Sequence, residues 1–280
     1  YFHEFAAHAR RHGLDFLSEA ILAEMLPPSP GAEAALNELG VPDDLVAREQ
    51  YYDFLRCRKF RCSLLCHANA TRQRNLKAGA VGRLRIGCPA ELSPAELNLK
   101  PGSVQSFQFH RGGKTVKFST SSSVAKAVLG ELGSRWPEGL AFEELAERVR
   151  ARLEAAGCAG QGAEAAGQAA LRRLALELFA DGIAELRVRW PAAAVRASDH
   201  PVANALARHQ LRNSFRCVNP FHVSIEIEGE EVRQLVLLLD GSHTREDLRK
   251  AVSRQLGREV PAEGIDQVLQ QIARFALLES

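Results

Sequence analysis

The chain has 280 residues, 46% of them hydrophobic and 25% charged, with a formal net charge of +2. That balance describes an ordinary soluble globular protein of about two domains, or three small ones. Neither an apolar run long enough to span a membrane nor a charged segment leading into an apolar one is present, so the sequence supports no membrane helix and no signal peptide. The first residue is Tyr1, not Met, so the chain is expected to be a piece of a longer polypeptide. Six cysteines, Cys57, Cys62, Cys66, Cys88, Cys158 and Cys217, are expected to be free thiols in a reducing cytoplasm.

Residues 1–26 read as a helix, with Phe2, Phe5, Ala9, Leu14, Leu17, Ile21 and Leu22 recurring mostly three or four residues apart. Gly13 is the expected C-cap or kink, and Pro27, Pro28 and Pro30 end the run. A short helix follows over Ala32–Leu39. Pro42–His67 reads as a second long helical stretch, with Pro42 in its first turn and Asp43 and Asp44 complementing the helix dipole. Residues 68–100 read as irregular, apart from a short strand at Leu84–Ile86.

A module begins near residue 104. The pair Gly112 and Gly113 signals a hairpin that sets Phe107 opposite Phe118, Gln108 opposite Lys117 and Phe109 opposite Val116. Helices are predicted at Ser122–Leu132, Phe142–Ala155 and Glu164–Ala180, with Gly133 and Gly182 as C-caps and residues 157–163 as a loose loop. Ile183–Arg189 alternates like a strand. A linker at Trp190–Asp199 leads to a helix over Val202–Leu211. A second module then opens on alternating Val223, Ile225 and Ile227. Its helices span Glu230–Leu239, 245–256 and 262–275, the middle one entered through a capping box at Thr244 and Asp247.

The two modules align at an offset of 94: Leu174 with Val268, Leu178 with Ile272, Ile183 with Leu277, and Glu185 with Glu279. Strand pieces around three helices suggest a winged-helix-like unit used twice. The expected fold is therefore mainly α with small antiparallel sheets (α+β). It has a helical region over 1–100 and modules over 101–191 and 192–280.

The chemistry-bearing residues nominate no reaction. Cys57, Cys62, Cys66 and His67 are of zinc-ligand type, but their spacing fits no common zinc pattern. His3, Glu4 and His8 share a helical neighbourhood without forming H-E-x-x-H, and read better as a polar face toward another domain. Gly79, Gly82 and Gly87 lack the lysine and hydroxyl of a phosphate-binding loop, so no nucleotide or S-adenosylmethionine site is assigned. Charge is more informative. Phe54–Ala90 contains no Asp or Glu and nine basic residues, among them Arg56, Arg58, Lys59, Arg61, Arg72, Arg74 and Arg85, which leaves −7 on the rest of the chain. The window reads either as a face paired with acidic groups of the same protein or as a surface for an acidic partner. Recognition of DNA is disfavoured, because the third helices offer only Arg172 and Arg173, and Arg274.

At the N-terminus, Tyr1-Phe2-His3-Glu4-Phe5-Ala6-Ala7-His8-Ala9 resembles the opening of the bacterial methyltransferase regulatory domain family. Phe54-Leu55-Arg56-Cys57-Arg58-Lys59-Phe60-Arg61 and Leu64-Leu65-Cys66-His67 resemble its second signature. His200-Pro201 and Leu237-Leu238-Leu239-Asp240-Gly241 resemble the winged-helix part of bacterial protein-lysine methyltransferases. The resemblance implies an upstream domain that binds S-adenosylmethionine and carries methyl transfer. This chain would then be a substrate-binding or regulatory portion, with no catalytic, cofactor or metal residue of its own. Its implied partners are that domain, a protein substrate and a second copy of the chain. His3, Glu4, His8, Arg56, Arg58, Lys59 and Arg61 are the candidate contact residues, in a cytoplasmic setting. A tandem winged-helix nucleic-acid regulator is the alternative.

Overall fold

A computed structural model describes residues 1–72, 77–93, 96–111, 114–158 and 167–280. The fold is mainly α with small antiparallel sheets. Two compact units divide the chain: Tyr1–Ala80 with Leu176–Ile183, and Val81–Ala175 with Ala184–Ser280. Among the described residues, no helix is long and apolar enough to cross a membrane.

The first unit departs most from the sequence reading. Helix α1 covers only Phe2–Arg11, and Gly13, at φ +72°, turns the chain into strand β1 (Leu14–Glu19). Helices α2 (Ala32–Glu38) and α3 (Leu45–Arg56) follow. The latter is capped by Asp44, whose carboxylate accepts from the Ala47 amide at 3.0 Å, so Pro42 lies before the helix. Cys57, left-handed at φ +48°, ends α3, and Ser63–His67 is a strand, β2, paired antiparallel with β1. Thus 1–26 and 42–67 are each a helix followed by a strand. The apolar residues that carried the helical reading past Gly13, Leu14, Leu17, Ile21 and Leu22, are not buried. The β1 register shifts between Phe16 and Ser18, and the buried residues of the strand are Phe16 and Glu19. Phe2 and Ala6 of α1, Phe16 of β1 and Val46 of α3 form one small core. Ala32, Leu36, Val41 and Tyr52 form another.

The second unit holds both modules apart from Leu176–Ile183, the end of the first module's third helix. Strand β3 (Arg85–Gly87) is followed by β4 (Glu91–Ser93) and the hairpin β5 (Gln105–Arg111) and β6 (Lys114–Thr120). Phe107↔Phe118, Gln108↔Lys117 and Phe109↔Val116 pair in the expected register; the Gly112 and Gly113 turn lies outside the described residues. Helix α4 (Ser123–Arg135), the short strand β7 (Leu140–Ala141), α5 (Phe142–Ala155), α6 (Gln168–Ala180) and β8 (Glu185–Arg187) complete the first module. The expected start of the third helix at Glu164 and most of the 157–163 loop lie outside the described residues.

The hairpin pairs with β4, and the closing strand β8 pairs with β3, which lies between β7 and β8. The second module follows the same plan after α7 (Ala205–Leu211) and the two-stranded sheet of β9 (Arg216–Val218) and β10 (Ser224–Glu226). Its three helices are α8 (Glu230–Leu238), α9 (Arg245–Leu256) and α10 (Ala262–Arg274). Here Val202 bridges Asp240 and Ala203 bridges Leu278, so a preceding extended segment again lies between the segments after the first and third helices. Val202 and Ala203, expected inside a helix, precede Asn204, which caps α7 by accepting from the Leu206 and Ala207 amides.

The offset of 94 is visible in backbone geometry. Ile183 N–H donates to Leu178 C=O at 2.8 Å, and Leu277 N–H to Ile272 C=O at 3.2 Å. Between them sit Gly182 at φ +69° and Ala276 at φ +56°. Both third helices thus end in the same left-handed turn.

Gly133 is not a C-cap. It lies inside α4, where a Cβ would come 2.1 Å from the Ala90 carbonyl oxygen. Lys126 of the same helix is buried, and its ammonium donates to Lys100 C=O at 2.8 Å, and to Ser103 C=O and Oγ at 2.9 Å each. Burial pushes its pKa below the usual lysine range.

An aromatic cluster of Trp136, Trp190 and Phe221 joins the two modules around Ala276. Trp136 Nε1–H donates to Arg274 C=O and Trp190 Nε1–H to Pro137 C=O, both at 2.8 Å. Gly139 leaves room for the Trp190 ring, which a Cβ would approach to 2.1 Å. Gly139→Ala is expected to displace Trp190, destabilise the protein by about 1–3 kcal/mol and red-shift tryptophan emission. Urea denaturation followed by fluorescence checks both effects.

Candidate binding site

The most charge-dense place in the first unit is an internal ion cluster. Arg61 is its centre. Its Nε–H donates to Asp53 Oδ1 at 3.0 Å and Oδ2 at 2.9 Å, Nη1 to Glu19 Oε1 at 2.5 Å, and Nη2 to Glu49 Oε2 at 2.8 Å. The guanidinium also stacks over the Phe2 ring, 3.7 Å from its centroid. Strand β1, helix α3 and helix α1 therefore meet at one side chain. The Glu19 and Glu49 side chains are 0% and 1% exposed, so neither ion is solvated and both depend on these donors. Burial pushes the Glu49 carboxyl above the usual range, against the pull of Arg61 and Arg58.

Arg58 adds a second cation, 8% exposed, with Nη1 at 3.2 Å from Asp53 Oδ1 and 3.7 Å from Glu49 Oε2. Its Nη2 donates to Glu24 C=O at 2.7 Å. Arg56 donates to that same carbonyl and, at 2.5 Å, to Leu26 C=O. Arg72 pairs with Asp15. Four arginines of the acid-free window are thus occupied by carboxylates and carbonyls of their own unit. In the second unit, Arg85 donates to Gly139 C=O. Arg74 lies outside the described residues.

Over this cluster lies a groove of about 780 Å³. Its charged lining consists of Asp53, Arg58, Lys59 and Arg61. Tyr1, Phe5, Phe54 and Phe60 line it with aromatic surface, and all four are exposed. Tyr1 meets Phe54 edge to face, with centroids 6.1 Å apart. The left-handed turn at Cys57 lets the chain leave α3 sharply, carrying Arg58, Lys59 and Phe60 to the groove.

The candidate residues therefore separate. Arg58, Lys59 and Arg61 come together at the groove, and Arg56 is turned to the Glu24 and Leu26 carbonyls. His3 is exposed, stacked on Tyr1, with its amide donating to Gln50 Oε1 at 3.3 Å. Glu4 is exposed, and its carboxylate accepts from the Tyr1 main-chain nitrogen at 2.7 Å. His8 is exposed on α1 beside Arg11 and His12. Among the described residues, no three His, Cys, Asp or Glu side chains gather as metal ligands. The aromatic residues of the groove escaped the sequence reading, which followed charge. Phe54 and Phe60, either side of the Arg58-Lys59 pair, were the available signal.

In the second unit, the Arg172 guanidinium lies over the Phe142 ring, 5.1 Å from its centroid, and within 3.2 Å of where a Cβ on Gly82 would sit. It is packed against its own module rather than offered to a phosphate backbone.

These features can be set beside known proteins. Residues 1–67 match a family model described as a predicted methyltransferase regulatory domain. The uncharacterized protein RP789 of Rickettsia prowazekii (strain Madrid E) is 29% identical over 159 residues, which are 55% of this chain and 28% of that protein. Two solved structures of PKMT2 from Rickettsia typhi superpose on 99% of the chain. One, in complex with AdoHcy, gives a TM-score of 0.77 at 21% identity; the other gives 0.79 at 22%. At that identity the likeness shows a shared fold. The chain covers 57% and 58% of those two structures, and so spans little more than half of their length.

Two outcomes test the ion cluster. Arg61→Ala strands three acidic groups and is expected to destabilise the protein by about 3–5 kcal/mol, measured by urea denaturation. Glu49 has a raised folded pKa, so its contribution is fully present below the ordinary carboxylate value of about 4 and fades as pH rises through the raised value. Thermal melts from acid to neutral pH should show Glu49→Gln gaining on the wild type as pH rises.

Proposed function

We propose that this chain is the substrate-binding or regulatory portion of an S-adenosylmethionine-dependent methyltransferase that acts on protein. The match of residues 1–67 to the regulatory-domain model carries this reading. The shared fold with PKMT2, whose structure holds AdoHcy, supports it. In this reading, methyl transfer and the methyl donor belong to an upstream domain of the same polypeptide, in a bacterial cytoplasm. Residues 1–100 form the regulatory middle region, followed by winged-helix-like modules at 101–191 and 192–280. The modules act as binding and spacing elements: their repeated plan is built from buried apolar side chains. The groove on the first unit is the surface through which His3, Lys59 and their aromatic neighbours meet a protein partner.

The native polypeptide, purified from source cells with an antibody to this chain, is expected to be longer by a domain, roughly 100–250 residues. It should transfer methyl groups from S-adenosylmethionine to protein. A native product of about the present length, inactive in that assay, would sink the reading.

A further inference from the structure

The groove of the first unit has unequal polar capacity. Asp53 uses both oxygens on Arg61 and lies beside Arg58, so it has little left for an incoming cation. The Gln50 side-chain oxygen accepts from the His3 amide. What remains is donors. Lys59 is exposed and makes no ion pair among the described residues. Arg58 lines the same groove, with Nη1 paired inward to Asp53 and Glu49, and adds positive charge beneath Lys59. The aromatic walls set the second condition. Phe54 and Phe60 are 53% and 80% exposed, a large apolar area for a small unit to leave in water. A volume of about 780 Å³ admits several side chains rather than a single small ion.

We propose that the groove docks a peptide segment that presents a carboxylate beside aromatic or aliphatic side chains. The carboxylate meets Lys59, and the apolar side chains cover Phe54, Phe60 and Phe5. A basic segment would bring its charge to Lys59 and find no free carboxylate. Charge complementarity thus selects an acidic, apolar peptide from the protein partners open to such a surface. This deepens the substrate-binding reading by naming what its site accepts, and its test is separable because it measures binding without methyl transfer.

The test uses the 280-residue chain and two fluorescein-labelled peptides with identical phenylalanines, interspersed with glutamates in one and lysines in the other. Fluorescence anisotropy should show the glutamate peptide binding at least about tenfold more tightly, and more weakly as salt is raised. Lys59→Glu should abolish that preference. Phe54→Ala and Phe60→Ala should each weaken binding by about tenfold, the loss expected for an aromatic anchor. All three positions are exposed, so the variants should fold, and circular dichroism and melting temperature verify that they do. Equal affinity for both peptides, tighter binding of the lysine peptide, no binding of either, or indifference to the three substitutions would each overturn the proposal.

Discussion

The first unit depends on one guanidinium. Arg61 holds Asp53 and Glu49 of one helix, Glu19 of a strand and the face of Phe2 from another helix. Fork geometry is what makes this possible, since a point charge such as an ammonium cannot serve three carboxylates at separate angles and lie flat on a ring. A buried ionic group of this kind adds little net stability over a well-packed apolar one. Its consequence is directional: each partner must sit in one place or leave a charge stranded. Among the described residues the apolar clusters of this unit are small, so the ion cluster decides the arrangement that apolar packing alone leaves loose.

That arrangement also shapes the surface. With Arg61 and Arg58 drawn inward, the chain between them lifts Lys59 and Phe60 outward beside Phe54. A sequence window that reads as strongly cationic therefore shows solvent a few aromatic rings and one unpaired lysine at this place. Arg56, Arg58, Arg61 and Arg72 are taken up inside the unit. What is left is a groove lined by apolar rings and positive charge.

The second unit follows a different logic. Its two modules share a plan of an extended segment flanked by the chain that follows the first and third helices. Both third helices finish in a left-handed turn, at Gly182 and at Ala276. Trp136, Trp190 and Phe221 then weld one module to the other. Repetition here is a packing solution.

Local pattern determined much of this protein. The Phe142–Ala155 and Arg245–Leu256 helices, the Thr244–Asp247 capping box and the hairpin register were all legible, since each rests on contacts within a few residues or across one turn. The offset of 94 was legible because it repeats in apolar spacing. Tertiary structure decided the rest. Strands at Leu14–Glu19 and Ser63–His67 exist because they pair with each other, with a register shift in the first. The short strand at Leu84–Ile86 was legible, but its partners β7 and β8 were not, and Val202 and Ala203 are held extended by bridges to residues far along the chain. The fate of the basic window was likewise undecided by composition. Its carboxylate partners Glu19, Glu49 and Asp53 lie outside it or just before it, and only folding brings them within reach of Arg58 and Arg61.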